Sequence, residues 1–139
     1  NILRYVAGVL FVLVGFLTVY RAITTFGLDY MAVVYLYFPE ESEVQDQEIY
    51  SVIRHPAYSS MIFICFGGFL LQFSLYSLVF FIIVLLGLLF HIYKVEEKEL
   101  LERFGEDFKE YRENTAAILI KPSKFPVFAR FLLGKQKKD

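Results

Sequence analysis

The chain has 139 residues, of which 57% are hydrophobic and 19% aromatic, whereas ordinary soluble domains are about 45–50% apolar. Charged residues still reach 21% and the net charge is −1, so very apolar and very polar stretches alternate, and a basic nucleic-acid-binding surface is excluded. One cysteine, Cys65, rules out an internal disulfide framework or a multi-cysteine metal site, and the two histidines, His55 and His91, stand far apart; no metal is expected.

The chain opens on Asn1 rather than Met, so a segment upstream is expected. Ile2 to Tyr20 carries one charge, Arg4, and is long enough to cross a bilayer as a helix. Its apolar run is too long for a signal peptide, and Arg4 and Arg21 flank it as interfacial anchors. Leu28 to Phe38 is apolar but too short to cross, and its Val and Tyr content suits extended or interfacial structure. An acidic stretch follows, with Glu40, Glu41, Glu43, Asp46 and Glu48; repulsion should hold the loop, within residues 28–49, at the water surface.

Ala57 to Phe73 and Leu75 to Tyr93 are two apolar runs separated by the polar residues Gln72, Ser74 and Ser77, which predicts an antiparallel helical hairpin over 57–93. Gly67, Gly68 and Gly87 would let helices approach closely there. Cys65 reads as an inert core or lipid-facing residue. From Lys94 to Glu113 the chain is highly charged, yet Leu100, Leu101, Phe104, Phe108 and Tyr111 recur every three or four residues, the apolar stripe of an amphipathic helix broken near Gly105. In the tail, 114–139, Phe125, Val127, Phe128, Phe131 and Leu132 alternate with Lys121, Lys124 and Arg130, a pattern suited to docking on a membrane surface. Six basic residues from Lys121 onward against one acid predict a cytoplasmic C-terminus. The fold class is therefore an all-α integral membrane protein with a C-terminal hairpin and an amphipathic cytoplasmic helix.

No G-x-G-x-x-G, P-loop, H-E-x-x-H or G-x-S-x-G pattern occurs. What remains is a set of ionisable and aromatic groups at the ends of the apolar runs: Tyr50, Arg54, His55, Tyr58, His91, Glu96 and Glu97. Pro56 suits the first turn of a helix and places Arg54 and His55 at its entrance. A hairpin returns its end to the side where it began, so Glu96 and Glu97 should neighbour Arg54 and His55. Successive helical residues point about 100° apart, so only one of the two glutamates is expected to face the hairpin. Taken singly, Arg54 reads as a snorkelling anchor and the glutamates as solvated surface acids. Together, ionisable groups converging at a membrane edge point to function.

The string Tyr50-Ser51-Val52-Ile53-Arg54-His55-Pro56-Ala57-Tyr58, then a hydrophobic hairpin, then Glu96-Glu97, Leu100, Phe104-Gly105 and Tyr111, resembles the isoprenylcysteine carboxyl methyltransferase family, a pattern shared with phospholipid N-methyltransferases. The resemblance implies an integral-membrane enzyme that uses S-adenosylmethionine, releases S-adenosylhomocysteine and has no Rossmann domain. It assigns cofactor contacts to Tyr50, His55, Pro56, Ala57, Tyr58 and Glu96, with weaker ones at Val44 and Gln45. Five positions depart from the family pattern: Ser60 and Phe108 replace a usual Gly and Tyr, Glu48-Ile49 stand where many members have Gly-Pro, and Ile92 replaces a substrate-binding Arg of eukaryotic members.

The residue types suit that chemistry. Aromatic faces such as Tyr50 and Tyr58 attract a sulfonium cation, and Glu96 can accept hydrogen bonds from a ribose or pair with an amino group. A carboxylate acceptor needs no base, whereas an amine acceptor would need one, for which Glu97 or His91 are candidates. Arg54 could hold an acceptor carboxylate or phosphate. The expected substrate is a lipid-linked acceptor entering from the bilayer, first a prenylcysteine-like carboxylate and second a phospholipid amine. Two other classes stay open: a membrane reductase of related fold using NADPH, and a non-enzymatic scaffold in which these charges are surface features.

Overall fold

A computed structural model describes residues 1–27, 44 and 46–134. The interfacial segment at 28–38, Glu40, Glu41, Glu43, Gln45 and the last basic residues from 135 lie outside the described residues. Among the described residues six α-helices follow one another: α1 (Ile2–Phe26), α2 (Pro56–Leu71), α3 (Leu75–His91), α4 (Glu97–Phe104), α5 (Glu106–Asn114) and α6 (Phe125–Leu132). Short 3₁₀ turns occupy Glu48–Ser51 and Pro122–Lys124, and a π-helical turn, Ile92–Glu96, joins α3 to α4.

Helix α1 runs past Tyr20 until Gly27, at φ 82°, ends it. Arg21 thus lies inside the helix, and its Nε donates to the Leu132 carbonyl at 3.3 Å. Among the described residues two helical stretches are long and apolar enough to cross a membrane, Ile2–Thr25 and Leu75–Phe104. Helix α2 is as apolar but has only 16 residues, about 24 Å at 1.5 Å per residue and short of a 30 Å bilayer core. Helix α3 buries none of its residues, and Tyr76, Phe80, Ile83, Leu86 and Phe90 are all more than half exposed. Such a surface suits lipid, where the same side chains in water would carry a large hydration penalty. The polar residues between α2 and α3 form a cap: Ser74 Oγ accepts from Ser77 N–H and Ser77 Oγ accepts from Ser74 N–H, both at 3.2 Å.

The α2–α3 hairpin exists, with Phe81 of α3 5.4 Å from Phe66 and stacked on Phe69, but α2 packs most extensively on α1. Two close approaches explain this. A Cβ on Gly67 would stand 2.7 Å from the Gly8 carbonyl oxygen, and one on Gly15 would stand 2.9 Å from the Ser60 carbonyl oxygen. Backbones this near maximise dispersion contact where lipid offers no hydrophobic drive between helices. Of the three glycines expected to allow close approach only Gly67 does so; Gly68 and Gly87 meet nothing within 4 Å.

The amphipathic helix breaks at Gly105, whose φ of 59° favours glycine. Residues 115–118 do not dangle as a tail. They run extended beside 53–55, where Arg54 N–H donates to the Ala116 carbonyl at 2.8 Å and His55 N–H to the Ala117 carbonyl at 3.0 Å. Ser59 Oγ, fully buried in α2, donates to the Ile118 carbonyl at 2.9 Å. The apolar stripe of α6 docks mainly on the protein rather than on a membrane surface: Phe128 and Leu132 join Ala22, Ile49, Tyr50, Val52 and Ile53 in one core cluster, with Val127 and Phe131 against it. Burying these four side chains on the protein leaves Phe125 and Leu133 exposed. Glu48, in the stretch expected to stay at the water surface, instead accepts from Thr25 Oγ at 2.9 Å and adopts φ 47°, in the left-handed region that favours glycine.

Candidate active site

Helix α2 starts at Pro56, with Pro at its first turn as the ring's fixed φ favours. This puts Arg54 and His55 at the helix entrance, and the hairpin returns Glu96 and Glu97 beside them. Glu97 is buried and its Oε1 accepts from Arg54 Nε at 3.0 Å, Arg54 Nη2 at 2.5 Å and His55 Nε2 at 3.0 Å. His55 Nδ1 faces Glu96 Oε1 at 3.4 Å. Both glutamates thus reach the histidine, against the expectation that only one would. The π-helical turn ending at Glu96 carries more residues per turn than an α-helix, which brings successive side chains closer in direction. The two ring nitrogens of His55, on opposite sides of the imidazole, then receive one carboxylate each.

A neutral imidazole has one N–H, so a ring flanked by two carboxylates is satisfied only as the doubly protonated cation. Burial works against that charge, but hydrogen bonds and Coulombic attraction from Glu96 and Glu97 outweigh it and raise the His55 pKa above its ordinary value. The four groups Arg54, His55, Glu96 and Glu97 then sum to zero charge, which is how a membrane-edge site tolerates so many ions.

Tyr58, one turn into α2, stands 5.9 Å by ring centroid from His55 and, on its other side, 5.9 Å edge-on from His91. Glu96 Oε2 is buried and makes no hydrogen bond of good geometry among the described residues, although the Tyr58 hydroxyl stands close enough to the carboxylate to stabilise its charge. Such an atom is costly unless a ligand or water satisfies it. Tyr50 lies elsewhere, buried in the core cluster with Ala22 and Phe128.

Arg54 is not a snorkelling side chain. It is only 7% exposed and makes four hydrogen bonds, two to Glu97 and one from Nη1 to each of the carbonyls of Arg112 (2.6 Å) and Thr115 (2.5 Å). The sequence gives no sign of these last partners, because a carbonyl is common to every residue. Tyr111 does carry a sign, as part of the apolar stripe, but its action is polar: its hydroxyl donates to the Tyr50 carbonyl at 2.6 Å. Burial pushes its phenol pKa up, keeping the donor protonated.

Two cavities are lined in part by residues hydrogen-bonded to Arg54 or His55, though by none of the four cluster members. An apolar groove of about 630 Å³ runs between the helices and the 116–119 segment, lined by Phe11, Ile62, Phe66, Phe81, Leu85 and Leu119 among others. Its wall includes Ala116 and Ala117, whose carbonyls accept the Arg54 and His55 N–H groups. A polar cavity of about 720 Å³ on the far side of Tyr111 is lined by Val44, Asp46, Ser51, Asp107 and Glu110, among others. A charged cluster beside an apolar groove suits chemistry on the polar end of an amphiphile.

The family model described as Phospholipid methyltransferase matches residues 3–107, from the start of α1 into α5. No curated protein and no solved structure matches the chain.

Proposed function

Because the chain belongs to the phospholipid methyltransferase family, it is an integral-membrane methyltransferase, and we propose that it moves a methyl group from S-adenosylmethionine to the polar end of a lipid-linked acceptor lying in the apolar groove. The observation that carries this reading is that the groove's wall at Ala116 and Ala117 accepts the backbone N–H groups of Arg54 and His55, two members of the ionic cluster. The cofactor's fit is supported by Glu96 Oε2, a buried acceptor with no hydrogen bond of good geometry among the described residues, which a ribose hydroxyl or an ammonium would satisfy. When bound, the cofactor supplies an electrophilic methyl group on a sulfonium. His55, Pro56, Ala57, Tyr58 and Glu96 would hold it from the cluster's side, and Tyr50, whose ring sits in the core cluster, with Val44 and Gln45 from the other end of the 50–55 link. Tyr58 offers an aromatic face to a cation, while His55 keeps Glu96 oriented from the other side. In-line methyl transfer needs alignment and dry surroundings more than proton traffic, and the apolar groove walls exclude water.

The acceptor follows from charge. Arg54, the cluster's guanidinium, is committed to Glu97 and two carbonyls, so it is not available to clamp a carboxylate. A phospholipid amine would instead be drawn to the carboxylates. It must first lose a proton, for which His91, exposed at the end of α3 beside Tyr58, is the candidate base; Glu97 is occupied. Carboxyl O-methylation of a prenylcysteine-like substrate is the second reading, with which the Arg54-His55-Pro56-Ala57-Tyr58 and Glu96-Glu97 pattern is equally compatible. The basic residues from Lys121 onward support a cytoplasmic site and C-terminus.

The test supplies methyl-labelled S-adenosylmethionine to the protein in vesicles containing phosphatidylethanolamine or a farnesylated cysteine. Alkali-stable label in the phospholipid is expected; alkali-labile label on the prenylcysteine would establish the second reading, and no transfer to either would overturn both. Leu85→Trp, which narrows the groove, should raise the acceptor KM and leave S-adenosylhomocysteine binding unchanged.

A further inference from the structure

We propose that helix α5 is a clamp for the cofactor segment, with Tyr111 and Arg54 as its positioning residues: neither touches the ligand, and together they fix residues 50–55 so that the proposed contacts at Tyr50 and His55 keep one relative placement. This rests on the cofactor reading above.

Tyr50 sits in the 3₁₀ turn Glu48–Ser51, and a short irregular link runs from that turn to His55, with no α-helix to hold their spacing. Each end of that link is tied to the same helix. At one end, the Tyr111 hydroxyl donates to the Tyr50 carbonyl at 2.6 Å. At the other, Arg54 Nη1 donates to the Arg112 and Thr115 carbonyls, which close the C-terminal end of α5. These two anchors are one helical turn apart, since Thr115 N–H donates to the Tyr111 carbonyl at 3.0 Å. The helix is itself seated firmly: Phe108 is 2% exposed and packs edge-on against the Tyr111 ring at 6.2 Å. Arg54 also links the clamp to the ionic cluster through Glu97. A cation suits this position, because the last carbonyls of a helix carry partial negative charge.

A loop held in its binding geometry binds more tightly than one that must first be ordered, so loosening the clamp should weaken cofactor affinity without altering the reaction once the cofactor is bound. Removing one neutral hydrogen bond changes an equilibrium by roughly two- to tenfold. Tyr111→Phe keeps the ring and deletes only the donor. The expected result is a two- to tenfold rise in the S-adenosylhomocysteine Kd and the S-adenosylmethionine KM, with kcat at saturating cofactor within about twofold of wild type. Arg54→Lys keeps the charge but cannot serve Glu97 and two carbonyls at once, so it should weaken binding more than Tyr111→Phe.

Both variants would be compared with the full chain in detergent by ligand-binding calorimetry and melting without ligand. If Tyr111→Phe lowers the melting temperature of the free protein yet leaves the Kd within about twofold, the hydroxyl is merely structural and the clamp is overturned. If Arg54→Lys does not fold, Tyr111→Phe alone decides. If wild type does not bind S-adenosylhomocysteine at all, the cofactor reading falls, and the clamp with it.

Discussion

Glu97→Gln tests the ionic cluster most sharply, because it removes one charge and almost no volume. One oxygen of Glu97 accepts three hydrogen bonds, two from Arg54 and one from His55, and the two ion-paired side chains are 7% and 5% exposed. A buried pair of this kind is weak evidence of net stabilisation, since desolvation offsets much of the attraction. Removing one partner is different, for it strands a buried guanidinium and costs about 3–5 kcal/mol. The amide oxygen still accepts part of the hydrogen bonding, so the lower figure, about 3 kcal/mol, applies. For a chain of this size that corresponds to a fall in melting temperature of roughly 10 °C. Thermal unfolding in detergent, followed by circular dichroism, would read it. Lys98→Ala is the matched control: its pair with Glu102 is 3.9 Å apart and highly exposed, and should shift the midpoint by no more than about 2 °C. A Glu97→Gln protein melting within about 2 °C of wild type would refute the buried-network account.

The α1–α2 seam predicts a contrast between adjacent glycines. Gly67→Ala places a methyl 2.7 Å from the Gly8 carbonyl oxygen and should destabilise by about 1–3 kcal/mol, whereas Gly68→Ala meets nothing and should be neutral or slightly stabilising; equal melting of the two would deny the close approach. The raised pKa of His55 sets a direction with pH. Its folded value lies above the ordinary 6.5, so its contribution is fully present below about pH 6.5 and is lost as pH rises through the folded value. Melting temperature should therefore fall more steeply above pH 6.5 in wild type than in His55→Asn, and parallel curves would contradict the assignment.

Much of the site could be read from residue order alone, because it depends on chain geometry. A hairpin must bring its two ends together, which is why Arg54-His55 and Glu96-Glu97, more than 40 residues apart, meet as expected. The break at Gly105 was equally visible, since glycine alone takes that φ cheaply. Other features left no mark in side-chain pattern. The π-helical turn that delivers both glutamates to His55 comes from backbone winding within an uninterrupted helical sequence. The 115–118 segment binds through carbonyls, which every residue has. The α6 stripe was legible as apolar, but periodicity cannot say whether such a face meets lipid or protein; Phe128 and Leu132 meet protein. The partner of Gly67 was likewise ambiguous, for a small residue permits close approach to any helix, and the helix that takes it is α1.

The most direct test of the central claim is S-adenosylhomocysteine binding to the solubilised protein, followed by melting temperature, for wild type and Glu96→Gln. A ligand that binds only the folded state at about 100 times its Kd adds roughly 2.7 kcal/mol to stability. A clear upward shift is expected in wild type and is lost or sharply reduced in Glu96→Gln, in which one carboxylate oxygen is replaced by a donor. An unshifted wild-type melt at saturating ligand, or an equal shift in both proteins, would contradict that claim.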